Sequence, residues 1–315
     1  LVASDHLGAW KARWGINRMN YLVPAGLYAI GEPTGQSVVL VTANYKMSYD
    51  LVRRALAGRS VWLVVLETYG INVWCAAGKG SFGTDELVGR VASVGLAKVV
   101  SHRRLILPIL GAPGVSAHEV KRRSGFSVAY GTIRAEDLPA YLDNGEVTTP
   151  GMRQLTFTLY ERLVLVPVEM VLVLKPVSLL GALLYLATIL LYSDSAALAT
   201  LGAYLGAVFT GVALAPVLLP FIPGRSFAVK GALAGVAFSA GFYALAGGAL
   251  WSWPVTLACF LALPALSSFY TLNFTGCTTY TSRSGVQKEM RLALPILGGS
   301  LLASLILVLA GSYFN

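Results

Sequence analysis

Apolar residues follow two different spacings along this chain. In the front half they come in short runs rich in Val, Ile and Leu, at 37–42, 61–67, 105–110 and 126–130. Between these runs lie stretches of helical spacing at 49–57, 85–96 and 116–123. Continuous short runs suit strands covered on both faces, and the intervening helices supply the cover, so the pattern predicts a small α/β, Rossmann-like layer. From residue 176 onward the runs lengthen to 176–192, 196–222, 227–250, 253–272 and 292–311. About 20 apolar residues of helix cross a hydrocarbon core, so these five runs predict an all-α, five-helix transmembrane domain.

Charge sharpens that division. Of the charged residues, 32 fall in 1–176 and only seven follow: Asp194, Arg225, Lys230, Arg283, Lys288, Glu289 and Arg291. The expected organisation is therefore a water-facing domain at 1–152, a linker or interfacial segment at 153–175, and the spans at 176–315. Lys and Arg concentrate in alternate loops, Arg225 and Lys230 in one and Arg283, Lys288 and Arg291 in another, while the loops near 193–195 and 251–252 carry none. The bias of basic residues to the cytoplasmic side predicts a multi-pass protein of the cytoplasmic membrane with the front domain in the cytoplasm and Asn315 outside. The first residues are polar and lack a signal-peptide pattern, so no such segment is expected.

The net charge of +9 does not point to nucleic acid, because the basic residues form no stripe interleaved with aromatics. The spans carry essentially no charge between their ends, which favours an anchor or docking surface in contact with lipid over a proton-coupled transporter. Gly202, Gly206, Gly211, Gly235 and Gly241 are expected to let helices approach closely. Three cysteines, Cys75, Cys259 and Cys277, are too few for a disulfide framework or an unaided iron–sulfur cluster. His6, His102 and His118 show no zinc spacing.

The chemistry concentrates between the second run and the helix near Asp85. Gly78-Lys79-Gly80-Ser81-Phe82-Gly83 fits the G-x-G-x-x-G pattern, with Thr84 as a candidate cap for the next helix. The run starts some ten residues after the strand, and His102, Arg103 and Arg104 stand where a ribose-binding acid belongs. A Walker loop fails too, because Gly80 occupies the required Ser or Thr position. Cys75 offers a better reading. A thiol at the amino end of a short helix faces unpaired amides, with Lys79 one turn further on, which favours the thiolate, a soft metal ligand. Ala76, Ala77 and Gly78 would keep the neighbouring surface low, with Asn72 holding the helix start and Trp74 forming an apolar wall. The plainer alternative is a buried small hydrophobe, which is how Cys259 is read.

Asn72-Val73-Trp74-Cys75-Ala76-Ala77-Gly78-Lys79 resembles the cap-helix signature of the mercury-methylating corrinoid proteins, relatives of the corrinoid iron–sulfur proteins. The resemblance continues through Pro24 to Tyr28, Val41 to Lys46, His118 to Lys121, Asp137 to Pro139 and the five-span tail, and departs at Ile109, where the family pattern has Gln. It implies a cobalamin-type corrinoid whose cobalt takes the Cys75 thiolate as lower ligand, and a methyltransferase activity. The methyl group would come from a methyltetrahydrofolate-dependent donor system and pass to Hg(II), with a ferredoxin-like iron–sulfur partner as reductant. The loop 273–282 also resembles the family, and makes Cys277 a candidate mercury relay. Beyond the segment from Asn72 through Val73 and Trp74 to Lys79, position alone nominates Asn44, Tyr45, Thr68, Gly111, Ala112 and Gly114 as cofactor contacts. Two other classes stay open: a general corrinoid methyl carrier of one-carbon metabolism, and a cofactor-free membrane scaffold or transporter.

Overall fold

A computed structural model of the chain describes residues 1–278 and 281–311, without the side chains of Cys277 and Arg283. Two compact units, Leu1–Leu155 and Thr156–Asn315, divide it. In the first, strands β1 (Gly26–Ile30), β2 (Val39–Ala43), β3 (Val61–Leu66), β4 (Arg104–Leu107) and β5 (Ser127–Tyr130) form one sheet in the order β1-β3-β2-β4-β5. The last four strands in that sheet order are parallel, as the continuous apolar runs predict. The sheet is mixed because β1, not foreseen from spacing, pairs antiparallel on β3, with Gly26 opposite Val65 and Ile30 opposite Val61. β1 lies at an edge and buries only Ile30, so it lacks the run that marks an interior strand.

Strand residues point alternately to two faces, and the two cores follow that alternation. Val39, Val41, Ala43, Val64, Leu66, Leu105 and Leu107 pack on one face. The helices on that side are α3 (Val73–Lys79), α4 (Thr84–Ser93), α5 (Leu96–Val99) and α6 (Ala117–Ser124), which contribute Ala76, Leu87, Leu96 and Val120. Leu40, Leu63, Val65 and Ile106 face the other way, where Leu138 and Tyr141 of α7 (Leu138–Asp143) and Val52 of α2 (Lys46–Ala55) cover them. The amino-terminal helix α1 (Ala3–Arg13) is tied to α2 by ion pairs from Asp5 to Lys46 and Arg53.

The second unit is helical: α8 (Leu159–Leu163), α9 (Val166–Leu191), α10 (Asp194–Phe209), α11 (Ala215–Leu218), α12 (Phe227–Leu245), α13 (Trp253–Asn273) and α14 (Arg283–Gly311). Five helical segments are long and apolar enough to cross a membrane. The first begins at Leu159, not Pro176, so most of the stretch read as a linker is helix. Pro176 lies inside α9, and such a break is tolerable where neighbouring groups re-satisfy the backbone. A π-helical turn, Thr210–Leu214, joins α10 to α11. The segments from Asp194 and Trp253 are the more buried ones, at 56% and 44% against 11% for the first and last, so the outer helices present leucines outward. Gly206, Gly211 and Gly235 make the expected close approaches, as does Gly231 against Ser268 and Thr271. Gly202 has one distant neighbour and Gly241 none, so neither is needed for packing.

Candidate functional site

The order of the strands creates a crevice before any side chain is considered. From β2 the chain passes through α2 to β3 on one side, then crosses back to β4 on the other side of β2. The carboxyl ends of β2 and β4 therefore flank a topological switch point, where open α/β sheets bind ligands. A cavity of about 220 Å³ lies there, lined by Thr42 of β2, Pro108 and Leu110 after β4, and Thr132 and Ile133 after β5. Asn72 and Val73, at the start of α3, complete its wall.

Helix α3 owes its start to Asn72, whose side chain accepts a hydrogen bond from the Cys75 N–H at 2.9 Å. That bond satisfies one of the orphan amides of the first turn and fixes the backbone at the cysteine itself. Cys75 is half-buried and free. Trp74 is half-buried beside it, and Gly78 and Lys79 are exposed. Gly80 ends the helix in the left-handed conformation, φ 86°.

A second set of bonds holds the strap between β3 and α3. Four consecutive backbone N–H groups donate to side-chain oxygens: Glu67 to Glu86 Oε1 (2.9 Å), Thr68 to Asn44 Oδ1 (3.1 Å), Tyr69 to Glu67 Oε1 (2.8 Å) and Gly70 to Asn44 Oδ1 (3.2 Å). The Asn44 amide also donates to Glu67 Oε1 at 2.6 Å, so Asn44 and Glu67 form one unit. Tyr69 and Gly70 both adopt positive φ, 56° and 70°. For a tyrosine this conformation costs on the order of 1 kcal/mol and persists only where surrounding bonds over-determine it, as they do here.

These placements change the roles expected for several residues. Asn44 and Thr68 are completely buried and Tyr45 nearly so, with the Tyr45 hydroxyl on Met47 Sδ; they are scaffold beneath the site, not contact surface. Burial also pushes the Tyr45 phenol up from its ordinary pKa, keeping it neutral. Ala76 and Ala77 face the core instead of forming an open floor. Gly114 packs against Phe82 and Ala77, and Gly111 against the Phe82 ring, so tightly that a Cβ on either would collide. Their smallness lets α3 sit close to the loop after β4. Only Ala112 of that loop set is exposed. Thr84 does not cap α4: Gly83 does, while the Thr84 hydroxyl accepts from Ser116 N–H at 2.9 Å. The G-x-G-x-x-G run is split between the end of α3 and the following turn and forms no phosphate cradle. The Cys277 side chain, and with it the relay expectation, lies outside the described residues, as does Asn315. Glu67 and Glu86 escaped the sequence reading because nothing in their spacing marks them as partners of a loop.

Among the described residues, no group of three His, Cys, Asp or Glu side chains is arranged to hold a metal ion. Cys75 therefore offers one soft donor without companions. Such a donor set fits a metal whose remaining ligands come from a macrocycle, and does not fit a free ion. The exposed backbone at Gly78 and Gly80, with open space where a Cβ would stand, is also compatible with a broad flat group.

Fold and site together define a sheet domain with a cysteine-bearing cap helix at its switch point, attached to a helical, membrane-compatible unit. Comparison with known proteins places the sheet domain further. Residues 18–142 match the family of the CO dehydrogenase/acetyl-CoA synthase delta subunit. The chain is 31% identical over 123 residues to the acetyl-CoA decarbonylase/synthase complex subunit gamma of Methanopyrus kandleri, covering 38% of this chain and 26% of that protein. Against the corresponding subunit of Methanocaldococcus jannaschii it is 29% identical over 124 residues, 39% of this chain and 25% of the relative. The chain thus spans about a quarter of the length of the curated relatives it matches. The matched region contains the whole sheet and α3.

Proposed function

We propose that the sheet domain is a corrinoid-dependent methyl carrier in which the Cys75 thiolate is the lower ligand to cobalt, and that the methyl group is delivered to inorganic Hg(II). The observation that carries the first part is the solitary thiol on α3 beside the switch-point crevice, held by the Asn72 cap and the Asn44–Glu67 strap. The similarity to the acetyl-CoA decarbonylase/synthase subunits supports a methyl carrier of one-carbon metabolism in general terms. The mercury part rests on the resemblance of the segment from Asn72 to Lys79 to the mercury-methylating proteins.

When bound, the corrinoid supplies a metal that takes up and releases a methyl group, chemistry that no side chain performs. The chain contributes position and electronics. Asn72 holds the amide of Cys75, so the thiol is presented from a fixed backbone. A thiolate donates electron density strongly to the metal it ligates, which assists transfer of an alkyl group to an electrophilic soft acceptor such as Hg(II). Val73 lines the crevice, and the half-buried Trp74 beside Cys75 adds apolar surface next to the thiol. Regeneration calls for an external low-potential reductant, for which a ferredoxin-like iron–sulfur partner is proposed, with a methyltetrahydrofolate-dependent system as donor. The helical unit anchors the domain at the cytoplasmic face of the membrane, with the carboxyl end outside.

Anaerobic visible spectroscopy of the purified full-length chain tests the ligand, and methylmercury formation from Hg(II) with donor and reductant tests the acceptor. The wild type is expected to carry corrinoid colour with a cobalt–sulfur signature that Cys75→Ala loses. A colourless wild type rejects the carrier in favour of a scaffold or transporter. A coloured protein that methylates another acceptor but never mercury leaves only the general carrier.

A further inference from the structure

The sheet unit leaves one apolar surface uncovered. Most of its exposed large apolar side chains lie within residues 1–22: Leu7, Trp10, Ile16 and Met19 are each more than half exposed, and Trp14 and Leu22 more than a third. Apolar side chains scattered singly over a surface need no explanation, but their concentration in one segment marks a face that meets a partner.

Helix α1 shows how that face is built. Leu7, Trp10 and Trp14 follow at spacings of three and four and form one outward stripe, with the two indole rings 6.1 Å apart. The opposite stripe packs inward. Gly8 lies so close to the Tyr21 ring that a Cβ would collide, Ala12 is fully buried, and Asp5 is taken up by Lys46 and Arg53. The one acid of the helix therefore faces away from the stripe. Lys11 flanks the stripe on one side and Arg13 on the other, and among the described residues neither is paired with a carboxylate.

An apolar stripe edged by unpaired cations and free of acids is complementary to an anionic bilayer surface, where indoles lie at headgroup depth and each Lys or Arg gains from the negative leaflet. The five apolar helices on the same chain also keep such a surface within reach at high effective concentration. From this arrangement we infer that α1 docks on anionic phospholipid as an in-plane interfacial helix, with Leu7, Trp10 and Trp14 entering the headgroup boundary and Lys11 and Arg13 on the phosphates. The Met19 carbonyl backs onto Gly70, so the docked segment is continuous with the strap that carries α3. The inference rests on the apolar helices being membrane spans, and not on the corrinoid.

The test reconstitutes the full-length chain, with its native cysteines replaced and an NBD fluorophore on Leu7→Cys, into nanodiscs of phosphatidylglycerol and phosphatidylcholine. Blue-shifted emission and quenching by a headgroup-proximal doxyl lipid are expected, both weaker at high salt or in phosphatidylcholine alone. The same label on Val147→Cys should show neither, because that exposed residue follows Glu146, which pairs with Arg104 at the start of β4, whereas Leu22 bridges Tyr45 beyond the end of β2. Lys11→Gln and Arg13→Gln should each lower the docked-to-free ratio about fivefold. Trp10→Ala combined with Trp14→Ala should lower it further. A Leu7 label that stays in water in discs the chain has entered would overturn the inference. So would a blue shift without doxyl quenching, which would assign the face to an acidic protein or a second copy of the chain. A chain that does not enter the discs fails the spanning reading itself, and the inference with it.

Discussion

Replacing Asn44 by alanine should loosen the cap helix without touching it. The Asn44 side chain makes four hydrogen bonds, to Thr68 N–H, the Thr68 hydroxyl, Gly70 N–H and Glu67. Truncation does not orphan every partner: the Thr68 hydroxyl keeps the Ile71 carbonyl and Glu67 keeps the Tyr69 N–H. The groups stranded in the interior are the two amides of Thr68 and Gly70. At about 1–3 kcal/mol per unsatisfied buried donor, partly relieved by water entering the space, the strap loses about 3 kcal/mol. The assay is pulse labelling of Cys75 with a maleimide in the full-length chain across a urea series, read by peptide mass spectrometry. With a slope of about 1–3 kcal/mol per molar, the midpoint for Cys75 exposure should fall by about 1–3 M. Asn44→Asp keeps an acceptor oxygen for both amides but sets a carboxylate against Glu67, so its strap should be weak at neutral pH and recover as the pH falls and the pair shares a proton. Cys75 labelling in Asn44→Ala at the wild-type rate and midpoint would refute the role assigned to this residue.

Other outcomes follow from contacts elsewhere. Gly114→Ala places a methyl group into Phe82 O and the Ala77 backbone, and should cost about 2 kcal/mol or more and unseat α3, visible as faster amide exchange over residues 73–79. Glu289 of α14 accepts from Ser226 Oγ (2.7 Å) and Ala228 N–H (2.8 Å) at the start of α12, so Glu289→Ala should lower stability of the helical unit by about 2 kcal/mol in thermal unfolding in detergent, with Glu289→Gln intermediate. The Lys46 ammonium that donates to Asp5, with Val2 N–H and then Arg53, holds the Asp5 carboxyl well below the usual carboxylate range. A depressed acid contributes stability above its unfolded value of about 4 and loses it as the pH falls through the folded value. Protection factors of the α1 amides, exchange rates taken relative to the intrinsic rate at each pH, should therefore fall below pH ~4 in the wild type, and should be low and insensitive to pH across that range in Asp5→Asn.

The division into a sheet domain and a helical apolar unit was legible in the residues alone, because burial on both faces of a strand and the thickness of a bilayer each impose a run length that is visible residue by residue. The sequence also singled out Cys75 and the Asn72 cap, since capping acts over three residues and is a local event. Tertiary structure alone decided what Asn44, Thr68, Gly111 and Gly114 do. They lie near the strand ends in sequence order, as ligand contacts would, but Asn44 and Thr68 meet each other across 24 residues and the two glycines back onto Phe82, and only the folded chain brings those segments together. The edge strand β1 was hidden for a related reason, its pairing with β3 being chosen by the sheet rather than by its own spacing. Pro176 marked a helix start by local rule, yet lies within α9, because a helix in an apolar unit can have its broken bonds made good by neighbours that no local pattern reveals.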